Sequence, residues 1–299
     1  MASQSRRTPL ERVEYVLIVS TLLLLVVFTV QPLLNLLALS FSDPSKVAGF
    51  SGLSIIPDGF SPDVWALLLQ HPNVQRGIFN SIWMTATSVV IGVLGTALMA
   101  WGLSRPGLPG RRVIFILVLV TIVFEPGIIP DYFLMKRMGL LNTPWSVIMY
   151  KAISAWYLII LVRFFEEIPR ELLEAAELDG ANPFQTFFLV VLPLAKSALA
   201  TIALFYLVLH WNEFFRAMIY LNDQSKWPLQ VVLRQFVIEG DKIAIVGANN
   251  ANNNIGIAQI NIRALKAGMI LITILPILAI YPLILKFFTK GTMSGALKG

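Results

Sequence analysis

The sequence predicts an all-α integral membrane protein with six transmembrane helices, and three observations carry that prediction. Of 299 residues, 57% are hydrophobic and only 13% are charged, with a mean hydropathy of +0.74. Soluble domains carry about a quarter charged residues. Apolar runs recur at the length a bilayer demands, roughly 20 helical residues to cross its core. Cysteine is absent and only His71 and His210 are present, which excludes disulfides, thiolate metal sites and histidine clusters. The net charge of +6 comes without a nucleic-acid motif or a dense basic stripe. The expected partner for this surface is therefore the lipid bilayer, with basic residues retained on the cytoplasmic side, and not nucleic acid.

A tail at 1–12 precedes a membrane domain at 13–299, whose core covers about 77–290. The first span, about 13–39, opens with YVLIVSTLLLLVVFTV. It is too long for a signal-peptide core and no small-residue cleavage site follows, so it is expected to stay in the membrane. The other spans fall at about 77–103, 113–129, 144–164, 195–220 and 267–288. Arg6, Arg7 and Arg12, then Arg105, Arg111 and Arg112, then Lys286, Lys290 and Lys298 lie on one side of such a six-span chain. That side is expected to be cytoplasmic, with both termini on it, although Lys136 and Arg137 fall opposite. Two external segments remain, at about 40–76 and 221–266, the second containing GANNANNNIG. Either connects spans passively or contacts an external partner. Within the second span, Ser88, Gly92, Thr96 and Ala100 recur every fourth residue, a stripe that admits another helix backbone closely.

The fourth and fifth spans are separated by a polar insert at about 165–194, EEIPRELLEAAELDGANPFQTFFLVVLPL at 166–194. On a helical wheel Leu172, Leu173, Ala175 and Ala176 share one side, and Glu171, Glu174 and Glu177 the other, with Leu178 off the apolar arc. Gly180 is placed to end that helix in the left-handed conformation. Asn182 is placed to cap a second helix with Pro183 in its first turn, and Pro193 to close it. The small apolar side suits a groove on another protein, or packing on the chain's own bundle.

Glu174, Ala175 and Ala176, three residues, Gly180, and then Leu192-Pro193 resemble the signature EAA loop of permease subunits in binding-protein-dependent ABC importers; Asp179 and Ala181 fit its common form. GLLNTPWSVI at 139–148, WNEFFRAMIYLND at 211–223 and the ending TKGTMSGALKG are similar to the carbohydrate branch that includes the maltose permeases, the ending most of all to importers of complex saccharides such as alginate. The resemblance implies the type I ABC importer permease fold. It implies a second homologous permease subunit, two ATPase subunits that hold ATP and Mg and grip the EAA loops, and an extracytoplasmic solute-binding protein delivering the saccharide. It further implies that Leu172, Leu173, Glu174, Ala175, Ala176, Asp179, Gly180, Ala181 and Pro193 couple this chain to the ATPase. In maltose permeases an external loop reaches the binding protein's sugar site, and 236–262 is the matching region here.

The chain itself is expected to be non-catalytic. No G-x-x-x-x-G-K-S/T run is present, no serine–histidine–acid set is evident, and the glutamates at 166–177 lie on a solvated helix where nothing tunes their pKa. Ionisable residues inside spans are costly, which makes Glu125, Lys151, Glu213 and Arg216 pathway candidates. Glu213 with Arg216, and Glu125 with Lys151, are spaced to pair; otherwise a cation there attracts an acidic sugar such as a uronate. Tyr150, Trp156 and Trp211 offer rings for sugar stacking, or packing, beside Asn212. The alternative class, an ion-gradient-driven transporter or channel, calls for repeats or broken helices with acidic ion ligands, and the two halves show no repeat.

Overall fold

A computed structural model describes residues 9–239 and 261–295. Among these the chain is helical throughout, apart from one isolated bridge between Ser42 and Phe60. The elements are α1 (Pro9–Ser40), α2 (Asp63–Gln70), α3 (Pro72–Ser104), α4 (Arg111–Val123), α5 (Ile128–Arg137), α6 (Trp145–Ile148) and α7 (Ala155–Glu166). They continue as α8 (Arg170–Leu178), α9 (Pro183–Thr186), a π-helical turn (Phe187–Val191), α10 (Leu192–Leu194), α11 (Lys196–Trp211), α12 (Phe215–Tyr220), α13 (Leu229–Arg234) and α14 (Ile262–Gly295). Arg6, Arg7, Lys298 and the asparagine-rich stretch at 247–256 lie outside the described residues, as does most of the region matched to the maltose permease loop.

Contacts divide the chain into two units. The first comprises residues up to His71 together with Gln235–Ile272. Its α1 exposes large apolar side chains on every side, and none of its most apolar stretch is buried within this chain. Above it, Phe41 stacks between Phe60 (5.6 Å) and Trp65 (5.2 Å), and Trp65 Nε1 donates to Ser40 Oγ. The core of this unit sets Val64 and Leu68 of α2 against α14 at Gly268, where a Cβ would meet Leu68 at 2.7 Å.

The second unit comprises Pro72–Arg234 and residues from Thr273 onward. Its axis is α3, and the small-residue stripe explains why. Ser88, Gly92, Thr96 and Ala100 are all buried, and α11 lies against them. A Cβ at Gly92 would stand 2.9 Å from the Tyr206 ring, so only glycine admits this approach. One turn on, Thr96 Oγ1 and Tyr206 Oη are 2.6 Å apart. The opposite end of α3 receives α13: Gly77 abuts Leu229, whose N–H donates to Ser81 Oγ at 2.8 Å. The two segments similar to carbohydrate permeases meet at Asn142. Its N–H donates to the Tyr220 carbonyl (2.8 Å), its side-chain oxygen accepts from Asp223 N–H (3.0 Å), and its carbonyl accepts from Lys226 Nζ (2.8 Å). Asn142 holds φ 56° to do so, a conformation asparagine tolerates better than most residues.

Three of the expected spans are discontinuous. Helices α1, α3 and the first part of α14 are each long and apolar enough to cross a bilayer; counting each bent pair as one span raises the number to five. The third span, expected to run unbroken to 129, stops at Val123; α5 then departs at 118° after Phe124–Gly127. The sequence Glu-Pro-Gly dictates this, because Pro126 disfavours a helical residue before it and Gly127 takes φ 83°. The fourth, expected whole at 144–164, is α6 and α7 joined by a non-helical stretch in which Lys151 takes φ 47°. The fifth pauses at Asn212–Phe214 between α11 and α12. Non-helical backbone at membrane depth persists only where protein or a water-filled cavity satisfies it. Ser154 N–H, at the start of α7, is satisfied by Tyr206 Oη at 2.9 Å.

Candidate functional site

The polar insert folds as a helix, a tight turn and a second helix, each joint built from local chemistry. At the end of α8, Gly180 holds φ 83°, its N–H donating to the Glu177 carbonyl (3.0 Å) and Ala181 N–H to that of Ala176 (2.9 Å). This paired 5→2 and 6→1 arrangement is a Schellman motif, and it satisfies carbonyls that a helix end leaves orphaned. Two residues on, Asn182 Oδ1 accepts from Gln185 N–H while Gln185 Oε1 accepts from Asn182 N–H, both at 2.9 Å. That reciprocal capping box, with Pro183 at the first position, starts α9. Pro193 does not close this piece, contrary to expectation. The π turn at 187–191 lies just before it, and the chain bends by 83° only at Ala195. A wider π turn accommodates a residue that lacks an N–H.

The apolar side of α8 divides between two tasks. Ala176 is buried, and Leu173 is half-buried against the core of Trp101, Phe165, Ile168 and Phe187. Leu172 and Ala175, expected on the same working side, face outward. The outward apolar surface is extended by Leu178 (89% exposed) and Phe184 (70%), neither of which the wheel had placed there. Arg105 fastens the element to the bundle. It lies over the Trp101 ring, 3.9 Å from its centroid, and reaches Glu177 at 3.6 Å. Arg111 pairs with Glu166, which Arg163 also meets at 3.1 Å. Arg105, Trp101, Glu177, Arg111 and Glu166 line a cavity of about 390 Å³. Sequence reasoning passed over Arg105 as a contact of this element; its signal was a basic loop opposite an acidic helix.

A second cavity, about 310 Å³, opens where α4 and α5 part and where the fourth span breaks. Glu125, Asp131, Tyr150, Lys151, Trp156 and Tyr220 line it. Both spaced pairs form. Lys151 Nζ is 2.9 Å from Glu125. Arg216 stands 3.5 Å from Glu213, which also accepts its backbone N–H at 2.9 Å. Arg216 further reaches Asp131 at 3.4 Å and lies over the Tyr150 ring at 3.5 Å. The two pairs differ in setting. Lys151 and Glu125 are 40% and 58% exposed, Arg216 and Glu213 only 15% and 9%. Each cation is thus already balanced by a carboxylate. Trp211 and Asn212 do not join the cavity. Trp211 is buried with its Nε1 on the Thr273 carbonyl (3.1 Å), and Asn212 Nδ2 bonds the Val208 carbonyl of its own helix (2.8 Å). Asp131 escaped the sequence reading because it sat in a segment taken as an external loop, although a lone aspartate among GIIPDYFLM was a signal.

Comparison with known proteins places this architecture. Residues 78–294 match the family described as binding-protein-dependent transport system inner membrane component. The polygalacturonan/rhamnogalacturonan transport system permease protein YtcP of Bacillus subtilis (strain 168) is 36% identical over 95% of this chain and 97% of its own. Protein LplC of the same organism is 38% identical over 91% of this chain and 90% of its own. A chain from the crystal structure of a bacterial ABC transporter involved in the import of the acidic polysaccharide alginate superposes with a TM-score of 0.87, at 27% identity, covering 95% of this chain and all of that one. The breaks, the α8–α9 element and the cavity therefore sit on a shared scaffold, and the chain belongs to the family of binding-protein-dependent transport system inner membrane components.

Proposed function

We propose that this chain is one of two permease subunits in an ATP-driven importer of oligosaccharides or polysaccharides. It acts with a second homologous permease, two ATPase subunits that hold ATP and Mg, and a solute-binding protein that presents the saccharide. It resides in the bacterial plasma membrane with both termini cytoplasmic, and catalyses no reaction itself. The observation that carries this reading is the α8–α9 element: a helix pair capped at both joints, seated through Leu173 on the bundle core, that leaves Leu172, Leu178 and Phe184 exposed. Large exposed apolar side chains on a compact polar element fit a groove on a second protein. Because both joints are capped, a push on α9 is delivered to α10 and α11 as a rigid displacement instead of being absorbed in the turn. ATP and the loaded binding protein each shift the two access states only as far as they bind one state better than the other.

The saccharide path is assigned to the cavity of Glu125, Tyr150, Lys151 and Trp156. The Lys151–Glu125 pair is exposed and holds by about 1 kcal/mol at most, so a uronate carboxylate competes for Lys151 readily. Arg216, fixed by two carboxylates, keeps the Tyr150 ring in place instead. A saccharide of the acidic class, like the alginate of the solved importer, suits this arrangement. The test is uptake of labelled saccharides into vesicles containing all subunits. Uptake is expected to require ATP and the binding protein, and to favour acidic over neutral chains. Accumulation driven by an ion gradient without ATP contradicts the proposal.

A further inference from the structure

The break in the fourth span contains no residue that forces it. Residues 149–154 read MYKAIS, without proline or glycine, so local rules would let α7 continue back through Lys151 into α6. The third span differs, since Pro126 and Gly127 end its helix by themselves. What holds the fourth break open therefore comes from outside it. Ile153 packs on α3 at Gly95, where a Cβ would stand 3.3 Å from Ile153 Cγ1. Tyr150 and Ala152 donate their N–H groups within the span, to the Val147 and Met149 carbonyls (3.3 and 3.1 Å). Ser154 N–H instead donates to Tyr206 Oη of α11 at 2.9 Å. In a continuous helix that N–H would donate to the carbonyl of Tyr150, four residues back. The phenol takes the place of that bond.

Tyr206 is fully buried. Its ring lies on Gly92 and edge-on to Tyr157, with centroids 4.8 Å apart, and a phenylalanine would fill that space equally well. The hydroxyl is the costly part, because a polar group buried between apolar helices has to be hydrogen-bonded. It is bonded twice, to Ser154 N–H and to Thr96 Oγ1 at 2.6 Å, so α3, α11 and the start of α7 meet at one oxygen. Three residues before Ser154, Lys151 holds φ 47° with its Nζ 2.9 Å from Glu125. Lys151 is thus fixed at both ends, its ammonium by Glu125 and its backbone, through Ser154, by Tyr206.

We infer that the Tyr206 hydroxyl is a positioning group for the saccharide path: it touches no saccharide, and it keeps the fourth span broken so that Lys151 lines the cavity. The inference rests on the assignment of that cavity to the saccharide. Without the hydroxyl, Ser154 N–H recovers a partner by extending α7 toward Lys151. That extension turns the ammonium away from Glu125 and from the place where it meets a uronate carboxylate.

Tyr206→Phe removes one oxygen and keeps the ring. In vesicles containing all subunits, the ratio of acidic to neutral saccharide uptake should fall by roughly fivefold, the change one hydrogen bond makes in an equilibrium. Lys151→Gln should lower the same ratio. The double variant should fall no further than Lys151→Gln alone, because the hydroxyl acts only through the lysine. Thr96→Val removes the other partner of the hydroxyl and spares the Ser154 bond; it should lower the melting temperature in detergent and leave the ratio unchanged. A tyrosine that serves packing alone gives equal loss of both saccharides in Tyr206→Phe and the same effect from Thr96→Val, and that pattern overturns the inference. The absence of cysteine allows the break to be located without uptake. Gly95→Cys with Ile153→Cys should form a disulfide on oxidation, and form it several times more slowly once Tyr206→Phe is added; equal rates overturn the inference as well. If Lys151→Gln leaves the uptake ratio unchanged, the path assignment fails and the inference falls with it. If Lys151→Gln lowers the ratio and Tyr206→Phe does not, the inference alone is overturned.

Discussion

The α8–α9 element and the cavity at Lys151 are both interruptions of helix, and they are built in opposite ways. At the first, every joint obeys local rules: glycine takes the left-handed position, asparagine and glutamine cap reciprocally, and proline opens the next helix. At the second, a lysine takes φ 47°, and ion pairs together with Tyr206 hold the ends in place. Strain of that kind costs on the order of 1–3 kcal/mol and persists only where surroundings impose it. The lesson is one of division: the joints of α8–α9 are determined locally, while the break at Lys151 is imposed by tertiary contacts.

The most severe way to break this comparison is Arg216→Ala. It leaves Glu213 and Asp131 facing each other without a cation in a largely buried setting. A loss of about 3 kcal/mol is expected, at the lower end for a broken buried pair, read as a large fall in melting temperature in detergent. Next comes Gly180→Val. No atom obstructs a side chain there, so its effect is purely conformational, on the order of 1–2 kcal/mol for a left-handed non-glycine residue and more for a branched one. The fold should survive with ATP-driven uptake strongly reduced, because the turn rearranges and the coupling becomes slack. Calorimetry and vesicle uptake on the same preparation separate the two effects.

Lys151→Gly sharpens the contrast from the other side. It relieves the strained φ and should stabilise the chain by up to about 1 kcal/mol, net of the exposed ion pair it removes. Acidic-saccharide uptake should nevertheless decline, with neutral saccharides spared. A loss of stability instead would show that the pair, and not the strain, dominates this break. The smallest effect concerns the 223–226 turn. Asp223 accepts the hydroxyl and N–H of Ser225, and these bonds hold its carboxyl below the ordinary value of 3.8. A depressed folded pKa stabilises the turn above the ordinary value, and that contribution is lost as pH falls through the lowered one. Protection of the Ser225 amide should therefore be flat at neutral pH and decline only in acid below about pH 4.

The same division explains what the sequence made legible. Gly180, Asn182 and Pro183 declare their roles because the rules they obey operate within four residues. The stripe of Ser88, Gly92, Thr96 and Ala100 was legible as periodicity, although its partner, Tyr206, was not. Both ion pairs followed from spacing and from the cost of burying charge. The interruption of the fourth span was not drawn, because hydropathy sums over a window and the apolar runs on either side outweigh Tyr150, Lys151 and Ser154. Only contacts from α11 reveal where that span stops. The wheel of α8 grouped Leu172 and Ala175 with the buried Ala176 for a related reason: it orders residues around an axis without knowing which side the bundle occupies. Trp211 offered either stacking or packing from sequence alone; its indole is fixed to the Thr273 carbonyl, a partner 62 positions away.

The central claim is that the exposed apolar surface of α8–α9 receives the force that drives transport. Leu178→Asp and Phe184→Asp change side chains with no burial of note, so membrane insertion and melting temperature should match the unsubstituted protein. In vesicles containing all subunits, with ATP inside and loaded binding protein outside, the double variant should show saccharide uptake at background. Uptake at the unsubstituted rate in a correctly assembled double variant would contradict the account.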